Sequence, residues 1–230
     1  MDRPDAEKNT LRPLRGALLL GGTTVLAVGL LALVHEATRE RIEQVERARR
    51  MQAVEQVLDG VRHDNDLLLD AVTVTDRDLL GTSAPVTVYR ATLDGEPVAA
   101  VLAPTAPDGY SGSIRLLVGI DVDGRLLGVR VQSHRETPGL GDLIEARKSD
   151  WILKFTGRSL GDPPLERWKV RKDGGDFDQF TGATVTPRAV VAAVANALLY
   201  FERERERIFP PSATPADEPI DQSARGPRIG

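Results

Sequence analysis

The sequence predicts an α+β protein: a single N-terminal transmembrane helix, then a domain in which an antiparallel sheet is flanked by helices. Three observations lead there. A charge-free apolar run opens the chain, two Asp-Gly pairs split β-rich segments into hairpins, and two stretches repeat apolar residues every three or four positions. At 230 residues the chain holds one core plus appendages, or at most two small domains.

The apolar run is "GALLLGGTTVLAVGLLALV", residues 16–34, polar only at Thr23 and Thr24. As a helix it reaches about 28 Å, close to a hydrocarbon core of about 30 Å. A cleavable signal peptide is the rival reading. The run exceeds a usual signal core, and a charged helix follows with no small-x-small cleavage site, so it reads as a retained anchor. Arg3, Lys8, Arg12 and Arg15 precede it, while Arg39, Arg41, Arg47, Arg49 and Arg50 follow. With basic residues on both flanks, the positive-inside rule chooses no side for the domain.

Residues 35–60 read as a helical stalk. Ile42, Val45, Ala48, Val54, Val57 and Leu58 recur at helical spacing between Glu and Arg, and Gly60 supplies a stop. Strands are then expected on both sides of Asp94-Gly95 and of Asp123-Gly124, where a tight turn requires positive φ. "DLIEARKSDWILKF", residues 142–155, predicts a helix with Asp142 as N-cap and Ile144, Trp151 and Phe155 on one side. "RWKVRK", residues 167–172, predicts a short strand. The last helix covers "PRAVVAAVANALLYFERERER", with Val190, Val191, Val194, Leu198 and Phe201 as its apolar stripe. Trp151 and Trp168 are expected in the core. Residues 209–230, rich in proline and small residues, predict a disordered tail.

Composition narrows the function. A net charge of −4 gives no basic footprint, so nucleic acid is not expected as a partner. The absence of cysteine excludes disulfides, thiol catalysis and cysteine-held clusters from this chain. His35, His63 and His134 lack the spaced partners of a metal site.

The segment "DFDQFTGATVTP" carries three threonines ahead of the last helix. Thr186-Pro187 reads as an N-cap followed by a proline at the first helical position. Thr181 and Thr184 need another reason. Gly182 and Ala183 let a bulky group approach the backbone, and a helix N-terminus favours phosphate. The loop has the makings of a phosphate site.

"DQFTGAT", Asp178 to Thr184, resembles the flavinylation motif Asp-x-x-Ser/Thr-Gly-Ala-Thr at every specified position. "HRETPGLGD", residues 134–142, is similar to the Glu-Thr-Pro-Gly-Leu-Gly loop of the same FMN-binding domain, and "GYSG", residues 109–112, to its glycine-tyrosine turn. In this order, behind an N-terminal anchor, they resemble the G subunit of Rnf/Rsx-type electron transport complexes over roughly residues 10–205. The C subunit of the sodium-translocating NADH:quinone reductase shares the motif and is the alternative family. A membrane-anchored binding module without flavin is the alternative class, and a free-standing FMN reductase is a third.

The resemblance implies one covalent FMN per chain, joined by a flavin transferase through a phosphoester to Thr184. It implies that Thr181, Gly182 and Ala183 hold the phosphate and that Asp178 serves recognition by the transferase. The loop of Glu136, Thr137, Gly139, Leu140 and Gly141 would pack against the flavin, with Tyr110 as an aromatic neighbour. FMN would carry the redox chemistry, with no catalytic residue and no metal in this chain. The implied role is electron relay within an ion-translocating complex linking ferredoxin and NAD. Other subunits would supply the remaining functions. The implied location is the bacterial inner membrane, crossed once: residues 1–15 cytoplasmic, 16–34 spanning, and the FMN-binding domain, 61–208, periplasmic.

Overall fold

The computed structural model describes residues 11–210, with side chains from residue 16 onward. The first ten residues of the expected cytoplasmic segment, and the expected tail from residue 211, lie outside the described residues. The chain divides after Met51 into two compact units.

Helix α1, Leu11–Leu58, begins in the first unit and ends in the second. Between Gly16 and Val34 its apolar side chains are exposed, with Leu18, Leu19 and Leu20 each at 72 %. This part is long and apolar enough to cross a membrane. The Thr23 and Thr24 hydroxyls donate to the Leu20 carbonyl at 2.9 and 2.8 Å, so neither needs water. Beyond the span the helix carries exposed Arg39–Glu43 and Glu46–Arg50 pairs at i,i+4 spacing. Each contributes only a few tenths of a kcal/mol, about 0.3–0.5.

The second unit opens with the last turns of α1, where Val54, Val57 and Leu58 are buried. Asp59 and Gly60, at φ 47° and 77°, end the helix. The strands are β1 (Ala71–Asp76), β2 (Thr82–Leu93), β3 (Glu96–Leu102), β4 (Thr105–Ala106), β5 (Ile114–Asp121) and β6 (Leu126–Ser133). They form one antiparallel sheet in the order β1-β2-β3-β5, with β4 sharing an edge of β5 and β6 on its other edge. Both expected hairpins are present. Asp94 and Gly95 both have positive φ in the first, whereas only Gly124 does in the second. The sequence reading missed β1, β4 and the single-turn helix α2 (Arg77–Leu80), whose N-cap is Asp76.

Glycine accounts for one contact that apolar periodicity could not reveal. Gly119 on β5 and Gly128 on β6 are cross-strand partners. A Cβ on Gly119 would lie 2.1 Å from the Val57 carbonyl oxygen, and one on Gly128 would lie 3.1 Å from it. The paired glycines make the hollow that receives the end of α1.

Helix α3, Val185–Ile208, packs its expected stripe into the core: Val190, Val191, Val194, Leu198 and Phe201 are all buried. Two expectations fail between the sheet and this helix. Residues 142–155 form not one α-helix but two short 3₁₀ segments, Gly141–Ile144 and Trp151–Phe155. Glu145 is extended at φ −75°, ψ 129°, and the Ser149 hydroxyl donates to the Leu143 carbonyl at 2.6 Å, competing with helical bonding. Asp142 is not a cap; its carboxylate pairs with Lys148. The strand expected at 167–172 is absent too. Val170 makes a lone bridge to Phe177, while 3₁₀ segments at Leu165–Arg167 and Arg171–Asp173 stand on either side.

Candidate flavin cleft

An aromatic cluster shapes the stretch that carries the threonines. Phe155 stacks on Phe177 at 4.8 Å, Phe177 meets Trp168 at 5.0 Å, and Trp151 meets Phe180 edge-on at 5.3 Å. Trp151 and Trp168 are thus core residues, as expected. Phe180 anchors the start of the motif, and the Trp151 indole N–H donates to the Asp178 carbonyl at 2.7 Å. From that anchor the chain reverses, with Ala183 N–H donating to the Phe180 carbonyl at 3.1 Å. Gly182, at φ +81°, supplies the left-handed conformation this reversal needs.

The reversal delivers Thr184 to the start of α3, and here the capping expectation is corrected. The helix begins at Val185, so Thr184, not Thr186, occupies the N-cap place. Thr184 already has helical angles, φ −76° and ψ −28°, and its side chain makes no capping bond. Its carbonyl takes the Arg188 N–H at 3.2 Å, but its hydroxyl makes no capping bond and has no partner among the described residues. Thr186 is instead 1 % exposed and donates its hydroxyl to Glu136 Oε2. A first-turn side chain is buried there because the 134–141 loop lies against the helix.

That loop forms the facing wall. The Thr137 carbonyl accepts from Leu140 N at 3.2 Å and Gly141 N at 3.1 Å, and Gly139 turns the chain at φ +77°. Between the walls lies an open cleft of about 290 Å³ lined by Tyr110, Thr137, Leu140, Gly141, Gly182, Ala183, Thr184 and Val185. Seven of these were singled out in the sequence. Val185 was not, and no motif position marks it. Thr181 and Gly139 are exposed beside the cleft without lining it. Glu136 is buried and points away from solvent, its carboxylate taken by Ser111 N–H at 3.0 Å and by Thr186.

Asp178 also stays outside the cleft. It pairs with Lys154 at 2.8 Å and Arg171 at 3.1 Å. The Lys154 hydrogen bond, more than the charge of Arg171, lowers its pKa from the usual carboxylate value. Below the facing wall, Glu145 accepts from Arg147, Lys148 and His134, which bring its pKa down to about 2. His134 Nδ1 accepts from Glu136 N–H at 3.0 Å, so its Nε2 carries the proton toward Glu145 at 3.1 Å.

The cleft suits one end of a flavin nucleotide. Small residues floor it, Tyr110, Leu140 and Val185 give an apolar rim, and free N–H groups at the start of a 24-residue helix favour phosphate. Its volume is at the lower limit of ligand pockets, about 300–1,000 Å³, so part of such a ligand stays at the surface. Among the described residues no cluster is suited to a metal ion.

Residues 109–199 match the FMN-binding domain family, and residues 12–57 match the RnfG N-terminal region. The chain is 52 % identical over 205 residues to the G subunit of the ion-translocating oxidoreductase complex of Pseudomonas aeruginosa (strain UCBPP-PA14), covering 89 % of this chain and 96 % of that protein. It is 46 % identical to the protein of the same name from Shewanella baltica (strain OS223), covering 85 % of this chain and 92 % of that one. The relative of that name in Vibrio atlanticus (strain LGP32) is also 46 % identical, with 85 % and 93 % covered. Fold, anchor and cleft thus define a membrane-anchored protein with an FMN-binding domain. This chain belongs to the family formed by the G subunits of ion-translocating oxidoreductase complexes.

Proposed function

We propose that this chain is the electron-relay subunit of a membrane complex that couples electron transfer to ion translocation, carrying one FMN joined covalently to Thr184. The observation that carries the tether is the Thr184 hydroxyl. It lies in the cleft at a helix N-terminus and is committed to no partner among the described residues. A threonine in the N-cap place ordinarily uses its hydroxyl on the backbone. In the maturation step the Thr184 oxygen bonds the flavin phosphorus of a flavin dinucleotide. The P–O bond to the departing nucleotide breaks, and that nucleotide leaves with the hydroxyl proton. A flavin transferase performs this step.

Bound FMN supplies reversible electron uptake and release, and the chain positions it. Gly182 and Ala183 leave room at the phosphate, with the exposed Thr181 hydroxyl beside them. The first N–H groups of α3 neutralise phosphate charge. Leu140, Val185 and Tyr110 offer apolar surface to a ring system. Asp178, braced by Lys154 and Arg171 on the outer surface, is placed for recognition by the transferase rather than for flavin contact. An open cleft leaves the flavin near partners, and the tether prevents its loss.

The other subunits of the complex exchange the electrons and conduct the ion, since the span at residues 16–34 contains no ionisable side chain. We place residues 1–15 in the cytoplasm and the FMN-binding domain, 61–208, in the periplasm, joined through the span and the stalk at 35–60, with the tail at 209–230. The test is intact mass of the full chain, co-expressed with a flavin transferase, beside Thr184→Val. A gain of one FMN minus one water, absent from the variant, is the expected result. An unmodified wild-type chain, with a control substrate modified in the same cells, overturns the tether.

A further inference from the structure

Glu136 is 4 % exposed, yet none of the arginines, lysines or histidines among the described residues pairs with its carboxylate. Burying a charge without a cation is costly. What the fold obtains is convergence. Oε1 accepts from Ser111 N–H, next to Tyr110, and Oε2 accepts from the Thr186 hydroxyl, two residues after Thr184. Its own backbone belongs to the loop that carries Thr137, Leu140 and Gly141. One carboxylate therefore joins all three segments that line the cleft.

Two glycines exist to make room for it. A Cβ on Gly141 would come within 2.9 Å of Glu136 Oε2, Glu136 Cβ and Thr186 Oγ1. A Cβ on Gly109 would lie 3.0 Å from Glu136 Oε1 and 2.3 Å from the Gly112 carbonyl oxygen. The glycine-tyrosine turn and the second glycine of the 134–141 loop are thus fitted around this acid.

We propose that Glu136 is the positioning residue of the flavin cleft, and that its buried charge biases the bound flavin toward the oxidised form. The proposal rests on the flavin reading above. A purely structural polar pin would need no charge, and a neutral amide would serve. Because reduction brings negative charge onto the flavin, an uncompensated anion under the cleft opposes it, and low dielectric strengthens the effect.

Glu136→Gln separates charge from shape. Its amide oxygen can accept from Ser111 N–H while its NH₂ donates to Thr186 Oγ1, so both links persist without the charge. In the FMN-loaded full chain, Glu136→Gln is expected to keep FMN content and hydrogen exchange at 109–112 and 184–188 near wild type. Its reduced-to-oxidised flavin ratio, poised against a redox dye, should rise by at least about threefold. Glu136→Ala removes both links. Exchange in those two segments of the flavin-free chain should then rise by about tenfold or more. An unchanged flavin ratio in Glu136→Gln overturns the charge effect. Unchanged exchange in Glu136→Ala overturns the positioning role. If wild type takes up no flavin at all, the flavin reading fails with the charge effect, while exchange in the flavin-free chain still decides the positioning role.

Discussion

From Ala71 to Ser133 the chain is a sheet, and from His134 to Thr184 it is a run of turns and 3₁₀ segments that binds itself together side chain by side chain. The two regions are of similar length and share one core, but they use different forces. In the sheet, backbone ladders set the geometry: Val88 faces Leu102, Leu102 faces Val118, and Val118 faces Val129, all fully buried. In the turn region the fixed points are aromatic rings and ion pairs. Carboxylates there with lowered pKa include Asp142, Glu145, Asp173, Asp176 and Asp178, whereas on the sheet Asp76 alone is so affected, at the helix α2 cap. The regular region supports the site, and the irregular one forms most of its walls.

Phe155→Ala is the strongest way to break this division. Phe155 is fully buried and touches Trp151, Trp168 and Phe177. Losing its ring should cost about 3–5 kcal/mol. Chemical denaturation should report that loss, and hydrogen exchange should rise first across residues 141–184, before strands β5 and β6. FMN attachment should fall as well, since Phe180 and the motif that follows are held by the same cluster. If exchange rises equally in both regions, they are one cooperative unit and the contrast lies only in geometry.

Acid offers a second route. Glu145 has its pKa lowered from the usual glutamate range to about 2, first by Arg147, then by Lys148 and His134. A lowered folded-state value means the stabilisation is fully present above the unfolded value, about 4.3, and disappears as pH falls through about 2. Arg147 is 77 % exposed, so solvent screens its share, and the total is about 1–2 kcal/mol. Wild type should therefore lose stability as pH falls from about 4.3 to about 2, more steeply than Glu145→Gln, with the earliest exchange in the turn region. Parallel pH curves for the two proteins would show that these ion pairs contribute nothing.

The same division explains what could be read from the sequence. The span, both hairpins and the stripe of α3 were legible because each is written in local periodicity or turn chemistry. The cleft was legible because its lining lies in three short motifs, at Tyr110, at Thr137–Gly141 and at Gly182–Thr184. The cap expected at Thr186 was misplaced, because burial of Thr186 depends on a loop 50 residues away. Residues 142–155 misled for a related reason. Ile144, Trp151, Ile152 and Phe155 are all buried at a spacing that fits one helical face. Yet the extended backbone at Glu145 and the Ser149 hydroxyl on the Leu143 carbonyl divide the segment, and neither leaves a mark in apolar periodicity. Gly119 and Gly128 gave no signal at all, since a glycine hollow is visible only once Val57 fills it.

Gly95→Ala should have the smallest effect, and it tests the sheet's side of the contrast. Gly95 sits at φ +81° in the β2–β3 turn, and a Cβ there would meet nothing within 4 Å. The cost is purely conformational, about 1 kcal/mol for a left-handed alanine. Asp94, at φ 53°, already bears such strain, and its N–H is held by Asp64 Oδ2 at 2.8 Å, so the turn keeps its shape. A small fall in denaturation midpoint is expected, with exchange rising only at the ends of β2 and β3 and with FMN attachment unchanged. Loss of FMN attachment from this variant would mean that strain in the hairpin reaches the cleft. The sheet would then be coupled to the turn region as tightly as the turn region is to itself, because no residue between 94 and 97 lines the cleft.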